Sequence, residues 1–194
     1  MEKYLSNGKN IFHMEKKLSM RIIDVLLREE SHARELARKL NTNHMTVINK
    51  LRELIDENVL DFRMEGRNKI YFIKRNVEAR NYVIMAELYK LNKTLKRYPE
   101  LRNIIESIQK NPRIKLALLF GSYARHCAKN ASDIDIFIET KDRNLKKSLE
   151  LLNSKLIVKI GDYDESSPLI REIEKNHVVI KGVELYYEKT RFFY

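Results

Sequence analysis

Two aspartates, Asp133 and Asp135, stand one residue apart in the segment Ser132-Asp-Ile-Asp-Ile-Phe-Ile-Glu139. Residues two apart on a strand share a face, so both carboxylates are expected on one side and Ile134, Ile136 and Ile138 on the other. Two carboxylates that close repel each other unless a cation bridges them, and a hard divalent ion such as Mg²⁺ is the natural partner. About a dozen residues upstream, the apolar run Leu116–Phe120 ends in Gly121-Ser122. Glycine lets the backbone come close to a ligand. The Ser122 hydroxyl and the amides of a short following helix can then hold phosphate oxygens, with Arg125 one turn later neutralising further charge. Phosphate holders beside a carboxylate pair point to a metal–nucleotide site. The competing reading, a surface turn next to an acidic strand edge, leaves the paired carboxylates without a purpose.

The elements that must position these residues alternate between strand and helix after Asn111-Pro112. Strands are predicted at Ile114–Phe120, Ser132–Thr140 and Lys155–Ile160, and helices at Lys141–Asn153 and Pro168–Asn176. A final strand region is expected over Val178–Tyr187, around Gly182. Before that boundary the pattern is helical. Val83, Ile84, Leu88, Leu91 and Leu95 predict one face of a helix over 77–97, and a further helix from Glu100 to about Gln109 follows Pro99.

The first ten residues lack periodicity and are expected to form a loose arm. Apolar positions from Met14 to Leu26 then predict a first helix. Ser31 is the expected N-cap of a second, carrying Leu36, Ala37 and Leu40, and Asn41-Thr42 is expected to end it and cap a third. Strand-like segments Val59–Arg63 and Lys69–Lys74 flank Glu65-Gly66-Arg67-Asn68, which reads as a hairpin turn. Three helices and a hairpin within about 60 residues is the winged form of the helix-turn-helix arrangement. The outward positions of the third helix are expected to be Asn43, His44, Thr46, Asn49 and Lys50. Asn suits adenine in the major groove and Thr a base or a thymine methyl, whereas Lys50 suits phosphate. Arg63, Arg67 and Lys69 cluster near the hairpin tip, where a wing would meet the backbone or minor groove. A helical domain with an ordinary solvated face, used for protein contacts, is the plainer alternative.

Composition agrees with two domains holding different anions. The 194 residues carry a net charge of +11, of which +8 lies in residues 1–97 and +3 in residues 98–194. Excess basic charge favours a polyanionic partner, here double-stranded DNA. A single cysteine, Cys127, supplies no internal disulfide and no thiolate cage. With no signal-peptide core at the N-terminus and no apolar run near the ~20 residues that span a bilayer, the chain is expected to be cytoplasmic, without a membrane partner. The helix over 77–97 is long enough to pair with a second copy, so a homodimer is among the candidate assemblies.

Gly121-Ser-Tyr-Ala-Arg followed by Ser132-Asp-Ile-Asp-Ile resembles the minimal nucleotidyltransferases of the DNA polymerase β superfamily, over about residues 112–190. The segment Ser31–Leu54 likewise resembles winged-helix regulators. The resemblance implies an α+β chain. A winged-helix DNA-binding domain over 11–76 would be followed by a helical connector over 77–111 and a nucleotidyltransferase-like domain over 112–194, with a small mixed sheet and helices on one face. By the family pattern Gly121 and Ser122 bind phosphate, Asp133 and Asp135 hold Mg²⁺ and act in catalysis, and a nucleoside triphosphate is substrate or ligand. Two positions depart from it. His126 stands where the family usually has glycine. Lys159 falls where a third carboxylate would complete a two-metal site, with Asp162 and Asp164 as candidate substitutes past the strand end.

These departures leave an active transferase, a nucleotide-binding domain without transfer, and a domain that has lost its ligand. The expected function is a DNA-binding regulator whose second domain binds Mg–nucleotide and transfers a nucleoside monophosphate if active. The alternatives are an antitoxin-like enzyme modifying a protein acceptor, with the winged helix for targeting, and a catalytically inactive regulatory or dimerisation module.

Overall fold

The computed structural model describes residues 17–193. The loose arm and Met14 of the sequence reading lie outside them. The described residues form two compact units that meet between Ala86 and Glu87, inside one long helix.

The first unit begins with α1 (17–26), which buries Leu18, Ile22, Ile23 and Leu26 at helical spacing. It continues through β1 (Ser31–His32), α2 (Ala33–Leu40), α3 (His44–Asp56), β2 (Leu60–Glu65) and β3 (Asn68–Ile73). Ser31 is not the cap of α2. His32 is, its Nδ1 accepting from the Glu35 amide at 3.2 Å, while Ser31 pairs with Tyr71 in the sheet. Asn41 ends α2 at φ 47°, with Thr42 donating to the Ala37 carbonyl and Asn41 to that of Arg38. Asn58 ends α3 in the same way at φ 62°. An asparagine in the left-handed region thus closes both helices, a role glycine more often takes. The cap of α3 is Asn43, not Asn41 or Thr42. The hairpin closes on Gly66 (φ +60°) and Arg67 between the paired residues Glu65 and Asn68, as in two-residue turns with glycine first. Helix order, turn and hairpin make this unit a winged helix.

Helix α4 (Val77–Arg97) carries the unit boundary. Leu88, expected on its apolar stripe, is 48% exposed, and Glu87 and Thr94 are buried instead. Glu87 accepts through Oε1 from Lys90 and from the Tyr187 hydroxyl, both at 2.9 Å, which offsets part of its burial, while its buried Oε2 has no hydrogen-bond partner among the described residues.

The second unit continues with a 3₁₀ turn (Pro99–Leu101), α5 (Arg102–Lys110), β4 (Ala117–Phe120), α6 (Gly121–Ala124), β5 (Ile134–Glu139), α7 (Arg143–Glu150), β6 (Leu156–Gly161), α8 (Pro168–Lys175), β7 (Val178–Lys181) and α9 (Val183–Lys189). The sheet order is β6-β5-β4-β7, with β5 and β6 parallel and β4 antiparallel to both its neighbours. One face, carrying Ala117, Leu119, Ile134, Ile136 and Val158, packs on Ile104, Ile105 and Ile108 of α5 and Leu145 and Leu149 of α7. The opposite face is not bare. Phe137 meets Tyr163, and Tyr163 meets Tyr186 of α9, each ring pair edge to face.

The final strand region is a correction. Strand β7 stops at Lys181 and residues from Val183 form α9. Gly182 makes the break at φ +81°, so tightly against β4's entry that a Cβ there would lie 2.2 Å from the Lys115 carbonyl oxygen. Gly182→Ala combines a left-handed backbone with this clash and is expected to cost about 2 kcal/mol or more. Urea denaturation measures it; an unchanged midpoint would contradict the packing.

Candidate nucleotide site

The site follows from the pairing of β4 with β5. Phe120 lies opposite Asp135, so the next residue, Gly121, turns directly over the Asp135 carboxylate. Gly121 has φ +70°, and a Cβ on it would sit 2.4 Å from Asp135 Oδ2. Both the backbone conformation and the space therefore require glycine. Helix α6 is a single turn, closed by the Arg125 amide on the Gly121 carbonyl at 3.2 Å and the Cys127 amide on that of Ser122 at 3.0 Å. Buried Tyr123 pins the turn to the core, its ring 4.8 Å from Tyr98 at 65°. Ser122 is half-buried.

Asp135 is half-buried at the start of β5, and Asp133 is exposed just before it. Burial pushes the Asp135 carboxyl above its ordinary value and the Asp133 charge pushes the same way, while Lys159 and Arg125 oppose them. Gly121, Asp133, Asp135, Arg125 and Lys159 are thus brought to one place. Arg125 also reaches Glu172 of α8 at 3.8 Å.

Lys159 explains its own influence. In the parallel pair, Asp135 matches Ile157 and Phe137 matches Lys159, so Lys159 is exposed on the Asp135 face, two residues further along. Strand β6 carries no carboxylate. Of the two candidate substitutes, Asp162 pairs with Lys141 at 2.8 Å and Asp164 accepts from the Ser166 amide and hydroxyl at 2.9 and 2.7 Å. Among the described residues no three or more His, Cys, Asp or Glu side chains gather as a metal cage. His126 has φ +58°, a conformation that glycine adopts without strain.

In the winged helix, Thr46 and Asn49 are exposed on α3 and His44 is half-buried at its first turn. Asn43 is exposed, but its Oδ1 accepts from the Met45 amide at 2.8 Å and serves the helix. Lys50 is not an outward residue. It is 6% exposed and its ammonium pairs with Glu53. Arg63 is held by Glu30 and by Glu65, the latter at 2.8 Å, which spends its charge within the protein. Arg67 at the hairpin turn is exposed, and Lys69 lies 3.9 Å from the centre of the Phe62 ring. Sequence spacing overlooks Met45, 57% exposed beside these polar positions. Its place in the first turn of α3 was the available signal.

Residues 102–188 match the family model described as Polymerase beta, Nucleotidyltransferase. Over those residues the chain is similar to nucleotidyltransferase domains of that family. Glycine turn and aspartate pair fall within the matched segment. Among solved structures, the adhesin competence repressor AdcR from Streptococcus pyogenes is similar at 18% identity and a TM-score of 0.38, over 52% of this chain and 79% of that one. No curated protein matches the chain. No helix among the described residues is long and apolar enough to cross a membrane.

The raised Asp135 has a consequence for stability. The native state keeps this proton at pH values where the unfolded chain has released it, so stability on this account falls as pH rises through the carboxylate range towards neutrality. Asp135→Asn removes both the burial of charge and the repulsion. In EDTA it is expected to melt higher than the parent at neutral pH and to show a flatter stability profile between about pH 4 and 7. A lower melting temperature at neutral pH would contradict this.

Proposed function

We propose that the chain is a DNA-binding regulator whose nucleotidyltransferase domain takes up a Mg²⁺-bound nucleoside triphosphate and holds it without transferring it. The observation that carries the nucleotide reading is the Gly121 backbone lying on the Asp135 carboxylate with Asp133 beside it. Two adjacent carboxylates, one of them resisting ionisation, fit a single Mg²⁺, which characteristically takes one or two carboxylates plus phosphate oxygens. Bound there, the ion would neutralise phosphate charge and draw electron density from the phosphorus. Gly121 gives the triphosphate close approach, the Ser122 hydroxyl can donate to a phosphate oxygen, and Arg125 faces the remaining negative charge.

The absence of transfer rests on Lys159. Nucleotidyl transfer needs an acceptor hydroxyl to lose its proton, and a protonated lysine neither accepts it nor binds a second metal. Strand β6 offers no carboxylate, and Asp162 and Asp164 are engaged elsewhere. The ammonium instead adds positive charge on the Asp135 face, which suits retention of a triphosphate. No protein acceptor is called for on this reading.

Calorimetric titration with ATP tests the reading. Binding is expected in Mg²⁺, absent in EDTA, and weakened at least about tenfold in Asp133→Asn, the scale of a lost charged contact. Mg²⁺-independent binding, or none, would overturn it. Incorporation of labelled nucleoside monophosphate into any component of the assay would overturn the non-transferring part.

For DNA, exposed Thr46, Asn49 and Met45 support contact with base edges, and exposed Arg67 and Lys69 support contact with phosphate. Arg67→Ala with Lys69→Ala is expected to weaken binding to a mixed-sequence duplex and to reduce the salt slope by about two. Lys50→Met leaves that slope unchanged. Equal slopes for the parent and the double variant would remove the wing from the interface.

A further inference from the structure

The second unit holds a cavity that neither the carboxylate pair nor the winged helix uses. It measures about 640 Å³ and opens between the end of α4, the loop before β5 and the turn before β6. A volume of roughly 300–1,000 Å³ is the range of small-molecule sites. Ile134 lines it. Ile134 and Asp135 point to opposite faces of β5, so the cavity lies on the side of the sheet away from the Asp135 carboxylate.

Its charge is one-sided. Three cations line it, Arg97, Lys129 and Lys155, against one carboxylate, Glu100. That carboxylate lies beside the neutral Tyr123 hydroxyl, so the lining keeps an excess of two cations. Arg97 donates through Nε to the Tyr98 hydroxyl at 3.2 Å, and its guanidinium carbon stands 5.6 Å from the Tyr98 ring centre. This single bond orients the guanidinium and leaves its two terminal nitrogens available. Lys155 donates to the Asn130 carbonyl, which fixes the ammonium without neutralising it. Lys129 is exposed and has no carboxylate partner among the described residues.

We propose that this cavity binds a small organic phosphate monoester. A phosphate monoester carries close to two negative charges at neutral pH, which matches the excess of two cations over one carboxylate in the lining. A fork of guanidinium donors suits phosphate oxygens better than it suits a single carbonyl. The organic part has a wall to lie on, since Tyr98 and Tyr123 are both buried and held rigidly edge to face. Tyr123 also belongs to α6, the turn that begins at Gly121, and Ile134 separates the two aspartates. The ligand therefore touches the far side of the same elements that carry the candidate nucleotide site, without depending on a nucleotide being there.

Ribose 5-phosphate, titrated calorimetrically into the full-length protein in EDTA, is the test. Binding is expected, ribose itself is expected not to bind, and Lys129→Ala and Arg97→Ala are each expected to weaken binding at least about tenfold, as for loss of a charge-assisted hydrogen bond. Both side chains are exposed, so their removal is not expected to unfold the domain, and thermal denaturation checks this. No binding of ribose 5-phosphate, equal binding of ribose, or binding indifferent to both substitutions would overturn the proposal. Because EDTA removes the Mg²⁺ that the Gly121 face requires, failure here and failure of the Mg–nucleotide reading are separate results.

Discussion

The second unit is organised around one contact, a glycine backbone laid on a half-buried carboxylate. The antiparallel register that sets Phe120 against Asp135 brings Gly121 over that side chain. A left-handed φ lets the chain turn there, and any Cβ would collide with Asp135. The rest of the unit holds this contact in place. Strand β4 is buried along its length, Tyr123 locks the turn into the core, and Arg125 spans from the turn to Glu172 on α8. What results is a carboxylate whose charged form is disfavoured by burial, next to another of the same sign. Such an arrangement is unfavourable by itself and becomes favourable with a cation, as sites that bind ions tend to be.

Charge is distributed to the same end in both units. On the Asp135 face two carboxylates meet two cations, Arg125 and Lys159. In the winged helix several cations are held in ion pairs: Arg38 and Lys39 pair with Glu35, and Arg63 with Glu30 and Glu65. The net charge of +8 already counts those carboxylates, so what the pairing decides is which cations remain for a DNA backbone. Exposed Arg67 and Lys69 on the hairpin carry the interface more than the total does.

Much of this was legible from spacing alone. The alternation of Asp133 and Asp135 with isoleucines and the glycine after an apolar strand survive in the structure, and the helix over 77–97 forms although Leu88 leaves its expected buried face. The misses share a physical cause, namely that tertiary context outweighed local type. Val183-Glu-Leu-Tyr-Tyr is rich in strand formers, yet Gly182 at positive φ breaks the strand and tyrosines pack as a helix face. Lys50 reads as an outward charge, but its aliphatic stem is buried and its head returns to Glu53. Ser31 is a better cap by type than His32, but the sheet claims its backbone. The basic cavity was invisible because Arg97, Lys129 and Lys155 lie far apart in sequence and converge only through the fold.

The central claim is that Asp133 and Asp135 hold one divalent ion together with a triphosphate, and that Lys159 occupies the place where a second ion would need a ligand. Electron paramagnetic resonance of Mn²⁺, titrated into the protein with and without a non-hydrolysable nucleoside triphosphate, measures this most directly. The account predicts one bound ion per chain, held only when the nucleotide is present, with a spectrum distinct from that of the free Mn²⁺–nucleotide control and lost in Asp135→Ala. Two coupled ions per chain, or a spectrum no different from the control, would contradict it.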